Sequence, residues 1–200
     1  EAAAEKARPL LEHIRNTAGD FIYSEIYNED LPIRCGRLLE EKGKTVATAE
    51  SCTGGLIGSL ITDVPGSSAW YRGSIVAYHN ELKTRLLSVP EATLRAHGAV
   101  SKETALAMAK SAAERLGADI GLATTGIAGP GGGSEEKPVG LVWFGYYDEQ
   151  HHFALRAQFF KNRKLNKERT ALVALDMLRR VLCDITQMPY GATPQPAETA

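Results

Sequence analysis

Cysteine is scarce in this 200-residue chain: Cys35, Cys52 and Cys183 are an odd number, far apart, with no CxxC pair. Sparse unpaired thiols exclude a disulfide framework and fit a reducing, cytoplasmic setting. Histidine is scarce too, five in all, and the one adjacent pair, His151-His152, has no nearby cysteine. No zinc-ligand spacing results, and no metal is expected. No apolar run approaches the roughly 20 residues that cross a bilayer. The opening EAAAEKARPLLEH is charged and alanine-rich, without the apolar centre of a secretory signal. An excess of charge of one sign is also missing, because the formal net charge is -1. The chain therefore has no general basic footprint for nucleic acid or for an anionic membrane.

What the chain does have is enough apolar residues, 44% of the total, to bury one substantial core. Residues 2–16 have a helical pattern, and the segment 21–27 is a short apolar stretch; both read as peripheral. A helix over 34–42 stops at Gly43, and 45–49 reads as a buried strand. Leu56, Ile57, Leu60, Ile61 and Val64 then recur at helical spacing until Pro65-Gly66. A strand over 74–78 leads to Asn80, placed to cap a short helix carrying Lys83. Ser101 caps a helix with Ala105, Met108, Ala112 and Leu116 on one face, ended by Gly117. A strand over 120–125 opens into a glycine-rich loop over 126–133. Segments 139–147 and 153–160 pair as a hairpin, and a last helix covers 166–185. The tail from Gln187, rich in Pro, Thr and Ala, reads as disordered and too poor in apolar residues to join the core. Strands alternating with helices, then a hairpin, predict a three-layer α/β/α domain with a mixed sheet over 34–186, flanked by an extension at 1–33 and a tail at 187–200.

Ser51 falls where a buried strand turns into a helix. The first N–H groups of a helix lack intrahelical acceptors and favour negative charge, so such a turn can hold a phosphate or stabilise an oxyanion. Gly54 and Gly55 allow close approach to the backbone. The arrangement follows the logic of a nucleophile elbow, although G-x-S-x-G is absent. The bland alternative is that Ser51 or Thr53 is only a helix cap. Lys83 offers a base at the next strand-to-helix junction, since a desolvated lysine can take a hydroxyl proton. Tyr78 could relay that proton, and the bland alternative for Lys83 is a solvated helix lysine. The loop from Gly126 through Gly133 can wrap a phosphate, or can simply be a mobile surface loop. It is not a Walker A loop, because no Gly-Lys-Ser/Thr follows.

Three segments occur together: Thr48-Ala49-Glu50-Ser51-Cys52-Thr53-Gly54-Gly55; Gly66-Ser67-Ser68-Ala69-Trp70 with Tyr78-His79-Asn80-Glu81-Leu82-Lys83; and Gly126 through Gly140. In this order they resemble the carboxy-terminal domain of the CinA (competence/damage-inducible) family, the nicotinamide-nucleotide amidases, over roughly residues 34–186. The resemblance implies hydrolysis of the carboxamide of nicotinamide mononucleotide to nicotinate mononucleotide and ammonia, a step of pyridine nucleotide salvage, with no metal or organic cofactor. It implies Ser51 as nucleophile, Lys83 as base and Tyr78 as a helper. Thr53, Gly54, Gly55, Ser68 and Asn80 would surround the small-molecule nucleotide, and Thr125, Gly126, Gly129, Gly131 and Gly132 would line its nucleotide part. Residues before 34 resemble a junction to a preceding domain, so that the chain would be part of a longer protein, and a homo-oligomer is compatible with it. One departure stands out: where the family usually carries Gly-Asp-Arg, this chain has Lys161-Asn162-Arg163, followed by Lys164 and Lys167. Two other readings remain at this point. One is a non-catalytic nucleotide-binding or regulatory module; the other is a cysteine hydrolase using Cys52, its thiol activated by the helix start.

Overall fold

A run of alanine and β-branched residues makes a stable strand only where both of its faces are covered, and Val46–Glu50 (β1) is buried throughout. The computed structural model describes residues 2–160 and 162–197. β1 lies between two parallel neighbours, Tyr71–Val76 (β2) and Ile120–Gly126 (β3). Leu141–Tyr147 (β4), His152–Gln158 (β5) and the two-residue Gln195–Pro196 (β6) continue the sheet antiparallel, in the order β2-β1-β3-β4-β5-β6. This is the expected mixed sheet, with helices on both faces.

Lys102–Leu116 (α6) covers one face. It approaches so closely that a Cβ on Gly121 would stand 1.9 Å from the Ala109 carbonyl oxygen, and one on Gly145 2.1 Å from that of Ala105. Only glycine on the strands facing small residues on the helix permits that spacing. Leu31–Lys42 (α2), Leu56–Thr62 (α3) and Arg163–Leu182 (α7) cover the other face, over a core that includes Leu39, Ile57, Ile61, Phe144, Leu155 and Leu175. Asn80–Leu87 (α4) and Glu91–His97 (α5) lie between β2 and α6. The amino-terminal Ala2–Ala18 (α1) leaves Leu10, Leu11 and Ile14 exposed. Among the described residues, no helix is long and apolar enough to cross a membrane.

Local signals set most helix ends. Ser101 accepts from the Thr104 N–H, and Gly43 and Gly117 end their helices in the left-handed conformation at φ 59° and 63°. Other ends differ from expectation. α2 begins at Leu31, because Asp30 caps it by accepting from the Ile33 N–H and Pro32 fits the first turn. α7 begins at Arg163, capped by Asn162. α5 was not foreseen. Asn80 is not a cap but the first residue of α4, and its side-chain oxygen accepts from Lys83 Nζ at 3.4 Å.

Three parallel strands bring the carboxyl ends of β1, β2 and β3 to one edge of the sheet. The chain winds outward from β1 to β2 and then crosses to β3, which opens a crevice at that edge. The antiparallel β4–β5 pair returns the chain to the same edge, so α7 starts beside it.

The tail differs from its expected disorder. Met188 is 7% exposed and belongs to the core, Arg180 Nη1 donates to Gln187 O at 2.6 Å, and the Ala197 N–H donates to His152 O at 2.9 Å. One methionine and a free strand edge suffice to dock residues 187–197, neither of which registers in composition; residues 198–200 lie outside those described. Deleting residues 187–200 should therefore cost at least the roughly 1.5–3 kcal/mol of one buried side chain. Thermal unfolding should show a fall of several degrees, at about 2–4 °C per kcal/mol; an unchanged midpoint would show the tail to be dispensable.

Candidate active site

β1 ends on Glu50, and this carboxylate decides the shape of the turn after it. Glu50 is fully buried. Its Oε2 accepts from the N–H groups of Gly55 and Ile57 at 2.9 and 3.1 Å. Its Oε1 accepts from the Gly58 N–H at 2.8 Å and from the Ser74 hydroxyl at 3.3 Å. The start of α3, expected to be open to a phosphate or an oxyanion, is thus already occupied by a side chain of the protein. The physical reason is proximity: a carboxylate at the strand end reaches those donors across a five-residue turn before any ligand can.

The Ser51 N–H donates to Thr124 O at 2.9 Å and the Ala77 N–H to Glu50 O at 2.8 Å, so both ladders run one residue past their strands. This fixes Ser51 beside Ala77. The first turn of α4 then folds Lys83 back over them. Lys83 Nζ lies 3.0 Å from Ser51 Oγ, 3.0 Å from Ala77 O and 3.4 Å from Asn80 Oδ1. Lys83 is 1% exposed and Ser51 8%. Burial lowers the Lys83 pKa below that of a free lysine, since it disfavours the charged form. Cys52 is affected in the opposite sense: burial pushes its thiol up to about 12, and the helix start that would have activated it is taken by Glu50. A cysteine hydrolase is thereby disfavoured.

Above Ser51 lies a cleft of about 280 Å³. Of the residues expected to form the site, Ser51, Lys83, Tyr78, Asn80, Thr125, Gly126, Gly129 and Gly131 line it. Thr53 does not: it is buried, with its hydroxyl 2.8 Å from that of Thr124. Gly54 and Gly55 shape the turn at φ 64° and 96°, Ser68 sits in a short turn over Ser67–Ala69, and neither these nor Gly132 are among the lining residues. Tyr78 is exposed, and its hydroxyl accepts from Arg163 Nη2 at 2.8 Å rather than touching Lys83. A relay through Tyr78 is unnecessary, since Lys83 reaches Ser51 directly. Arg163 lines the cleft as well and was not foreseen. Its signals were the basic segment after β5 and the arginine that Lys161-Asn162-Arg163 shares with the family's usual Gly-Asp-Arg. Within that segment Asn162 Oδ1 accepts from the Leu165 N–H at 3.1 Å, a capping role that Asn fills as well as Asp; Lys161 lies outside the described residues.

A larger hollow of about 460 Å³ at the opposite sheet edge includes Asp119, Asp148 and His151, but no serine, threonine or cysteine lines it. Among the described residues, no group of three or more His, Cys, Asp or Glu could hold a metal ion. The Ser51 cleft is where a serine hydroxyl meets a buried lysine amine.

If Glu50 holds the Ser51 turn, its replacement should be costly. Glu50→Ala would leave buried N–H groups without acceptors, at about 1–3 kcal/mol each. Glu50→Gln should also destabilise, because an amide offers one acceptor oxygen where two are used and turns an NH2 toward N–H donors. Chemical denaturation should rank wild type above Gln above Ala, and equal stability of all three would remove this role.

Comparison with known proteins agrees with this fold. The family model for the CinA C-terminal domain matches residues 28–182. A CinA-like protein of Cytophaga hutchinsonii is 47% identical over 157 residues, 78% of this chain and 38% of its own length. One from Salinibacter ruber is 49% identical over 171 residues, 84% of this chain and 41% of its own length. The chain thus spans about two fifths of the length of these relatives. Among solved structures, a CinA superfamily protein from Klebsiella pneumoniae superposes with a TM-score of 0.74 at 31% identity, covering 77% of this chain and 96% of that one. A competence/damage inducible protein from Agrobacterium tumefaciens gives 0.71 at 39% identity, covering 80% and 99%. With most of its length matched, this chain belongs to the CinA C-terminal domain family.

Proposed function

We propose that the Ser51 cleft hydrolyses the carboxamide of nicotinamide mononucleotide to nicotinate mononucleotide and ammonia, with Ser51 as nucleophile and Lys83 as base. The observation that carries this reading is the 3.0 Å contact between Lys83 Nζ and Ser51 Oγ, with both residues buried at the floor of a cleft. A serine hydroxyl is a weak nucleophile until a base removes its proton during attack. A solvated lysine is charged and cannot do so; a buried one with a lowered pKa can.

The surroundings of Lys83 also aim its lone pair. Ala77 O and Asn80 Oδ1 can only accept, so the neutral amine gives its two N–H bonds to them and turns the lone pair to the Ser51 hydroxyl. Ser51 Oγ attacks the carboxamide carbon as its proton passes to Lys83. The tetrahedral intermediate collapses as Lys83 returns that proton to the departing nitrogen, releasing ammonia and leaving an acyl ester on Ser51. Water then attacks the ester, giving its proton to Lys83, which passes it to Ser51 as the acid leaves. Because Glu50 occupies the start of α3, the developing oxyanion must be met elsewhere. The Cys52 N–H, directly after the nucleophile, is the nearest donor in sequence and belongs to a residue of the cleft lining. These steps need only side chains, one backbone N–H and water.

Purified protein should release ammonia from nicotinamide mononucleotide; tight binding without release would instead mark a non-catalytic nucleotide-binding module. Ser51→Ala and Lys83→Met should each reduce kcat/KM by about 10²- to 10⁴-fold or more. As the two act as one unit, the double variant should be little worse than either. Full activity in Ser51→Ala would move the nucleophile elsewhere.

Lys83→Met should nonetheless fold, since it removes an amine whose charged form is penalised by burial, against the loss of one donor to Ala77 O. The sign follows from the lowered pKa. Between the folded-state pKa and the ordinary 10.5, the unfolded chain binds the extra proton, so wild-type stability rises with pH across that window. The Met variant should lack this rise, and parallel stability–pH curves would show that Lys83 is not perturbed. Asn80→Asp would place a carboxylate beside Lys83, raise its pKa and shift the rising limb of kcat/KM to higher pH. An unmoved limb would show that the limb does not report Lys83.

A further inference from the structure

Asn166 occupies a position that the packing of α7 would give to an apolar side chain. Asn166, Thr170, Val173 and Met177 recur at spacings of four, seven and eleven residues along the buried face of the helix, and Asn166 is 1% exposed. Thr170 satisfies its hydroxyl within the helix, by donating to Asn166 O at 2.6 Å. The Asn166 side chain looks outward instead. Its Nδ2 donates to Ala128 O at 3.0 Å, while its Oδ1 accepts from none of the described residues. The two ends of the amide cannot be exchanged, because Ala128 O is only an acceptor. Burying an amide with one end unpaired is unfavourable. A leucine of similar size would leave no unpaired amide oxygen; the one thing it lacks is the bond to Ala128.

Ala128 belongs to the wall of the Ser51 cleft, with Gly126, Ile127, Gly129 and Gly131. The sheet holds this wall only as far as Ile127, whose N–H donates to Leu141 O at 2.9 Å and whose carbonyl accepts from the Gly140 N–H at 2.7 Å. Beyond it, glycines at 129, 131, 132 and 133 leave the backbone few restraints of its own. Arg163 holds the Gly129 carbonyl from the exposed rim, in competition with water. The bond to Ala128 is made in the core, where a hydrogen bond is electrostatically stronger. Asn166 is itself absent from the cleft lining, so it can act on the site only through that carbonyl.

We infer that Asn166 is a positioning residue: by holding the Ala128 carbonyl it sets the distance of the glycine-rich wall from Ser51, and so the alignment of the substrate carbon with the hydroxyl. The inference rests on the amidase reading for the reaction, but the tether itself can be read without turnover. Little movement is needed, since misplacing reacting groups by about 1 Å costs on the order of 100-fold in rate. The effect falls on kcat more than on KM. A loosened wall still offers the same contact surface, yet holds the substrate in the attacking geometry for less of the time.

The test follows ammonia release from nicotinamide mononucleotide, and amide hydrogen exchange, in wild type, Asn166→Leu and Asn166→Gln. Asn166→Leu should lower kcat by about 10- to 100-fold while KM changes less than about three-fold. Exchange should quicken at the Ile127 and Gly140 amides, whose bonds flank the tether, while β1, β5 and α6 keep their wild-type protection. Asn166→Gln retains an N–H donor and should recover part of kcat. If the leucine variant does not fold, Asn166→Ala removes the donor without adding bulk and carries the same expectations. Wild-type kcat in a folded variant that lacks the donor would overturn the inference, and so would a loss carried by KM alone. Faster exchange throughout the domain, in step with lost activity, would show a merely structural role and overturn it too. Should wild type release no ammonia, the amidase reading fails and exchange decides the tether separately. Acceleration confined to Ile127 and Gly140 supports it; unchanged exchange at both overturns it.

Discussion

Removing a carboxylate from water costs several kcal/mol unless other donors replace its solvation, and Glu50 meets that cost with three backbone N–H groups and a serine hydroxyl. The remaining features of the site depend on this arrangement. The donors come from the start of α3 and from β2, so one side chain ties the end of β1 to a helix and to the neighbouring strand. The turn over residues 51–55 is held from both sides, and Ser51 has little freedom to leave the cleft floor. The same bonds neutralise the positive end of α3. A ligand anion is thereby denied the most obvious docking point in the fold, and the charge that could attract it lies on the other side of the cleft.

Lys83 shows the opposite economy. Its burial is unfavourable to the charged form, and two carbonyl-type acceptors and a hydroxyl only partly offset that. A methionine of similar length would sit there more comfortably. A lysine kept at that cost at the floor of a cleft, next to a hydroxyl, supports the proton-transfer role proposed for it.

Local chemistry made much of this legible from sequence. Ser101, Gly43 and Gly117 announce helix ends because a cap acts within one turn, and the alternation of apolar runs announces the mixed sheet. The Ser51 turn and Lys83 were visible because Ser51 directly follows β1 and Lys83 lies in the first turn of the helix after β2, and parallel strands bring such junctions to one edge. What escaped depends on side-chain direction or on distant return of the chain. Thr53 and Ser51 are two residues apart in one turn, yet one hydroxyl points into the core and the other to the cleft. Asn80 looked like a cap and is instead a partner of Lys83. Arg163 reaches Tyr78 across 85 positions, and only the length and pairing of β4 and β5 bring it there. The docking of Met188 depends on a gap beside α7 that no composition reveals.

The placement of the two cations follows from what each can do. An amine changes its charge readily with its surroundings, so a lysine buried at the floor can exist as a base. A guanidinium holds its proton under all ordinary conditions, so it could not serve there, and burying it without a counter-charge would be costly. At the exposed rim that permanence is useful, because water shares the cost of the charge while the walls fix its direction. Asn162 fits the same logic. An aspartate at this cap would put a negative charge one residue from Arg163, whereas asparagine keeps the cap on α7 and adds no carboxylate to compete for the guanidinium. The departure at this position therefore preserves the helix and leaves the rim of the cleft more positive than an Asp-capped helix would.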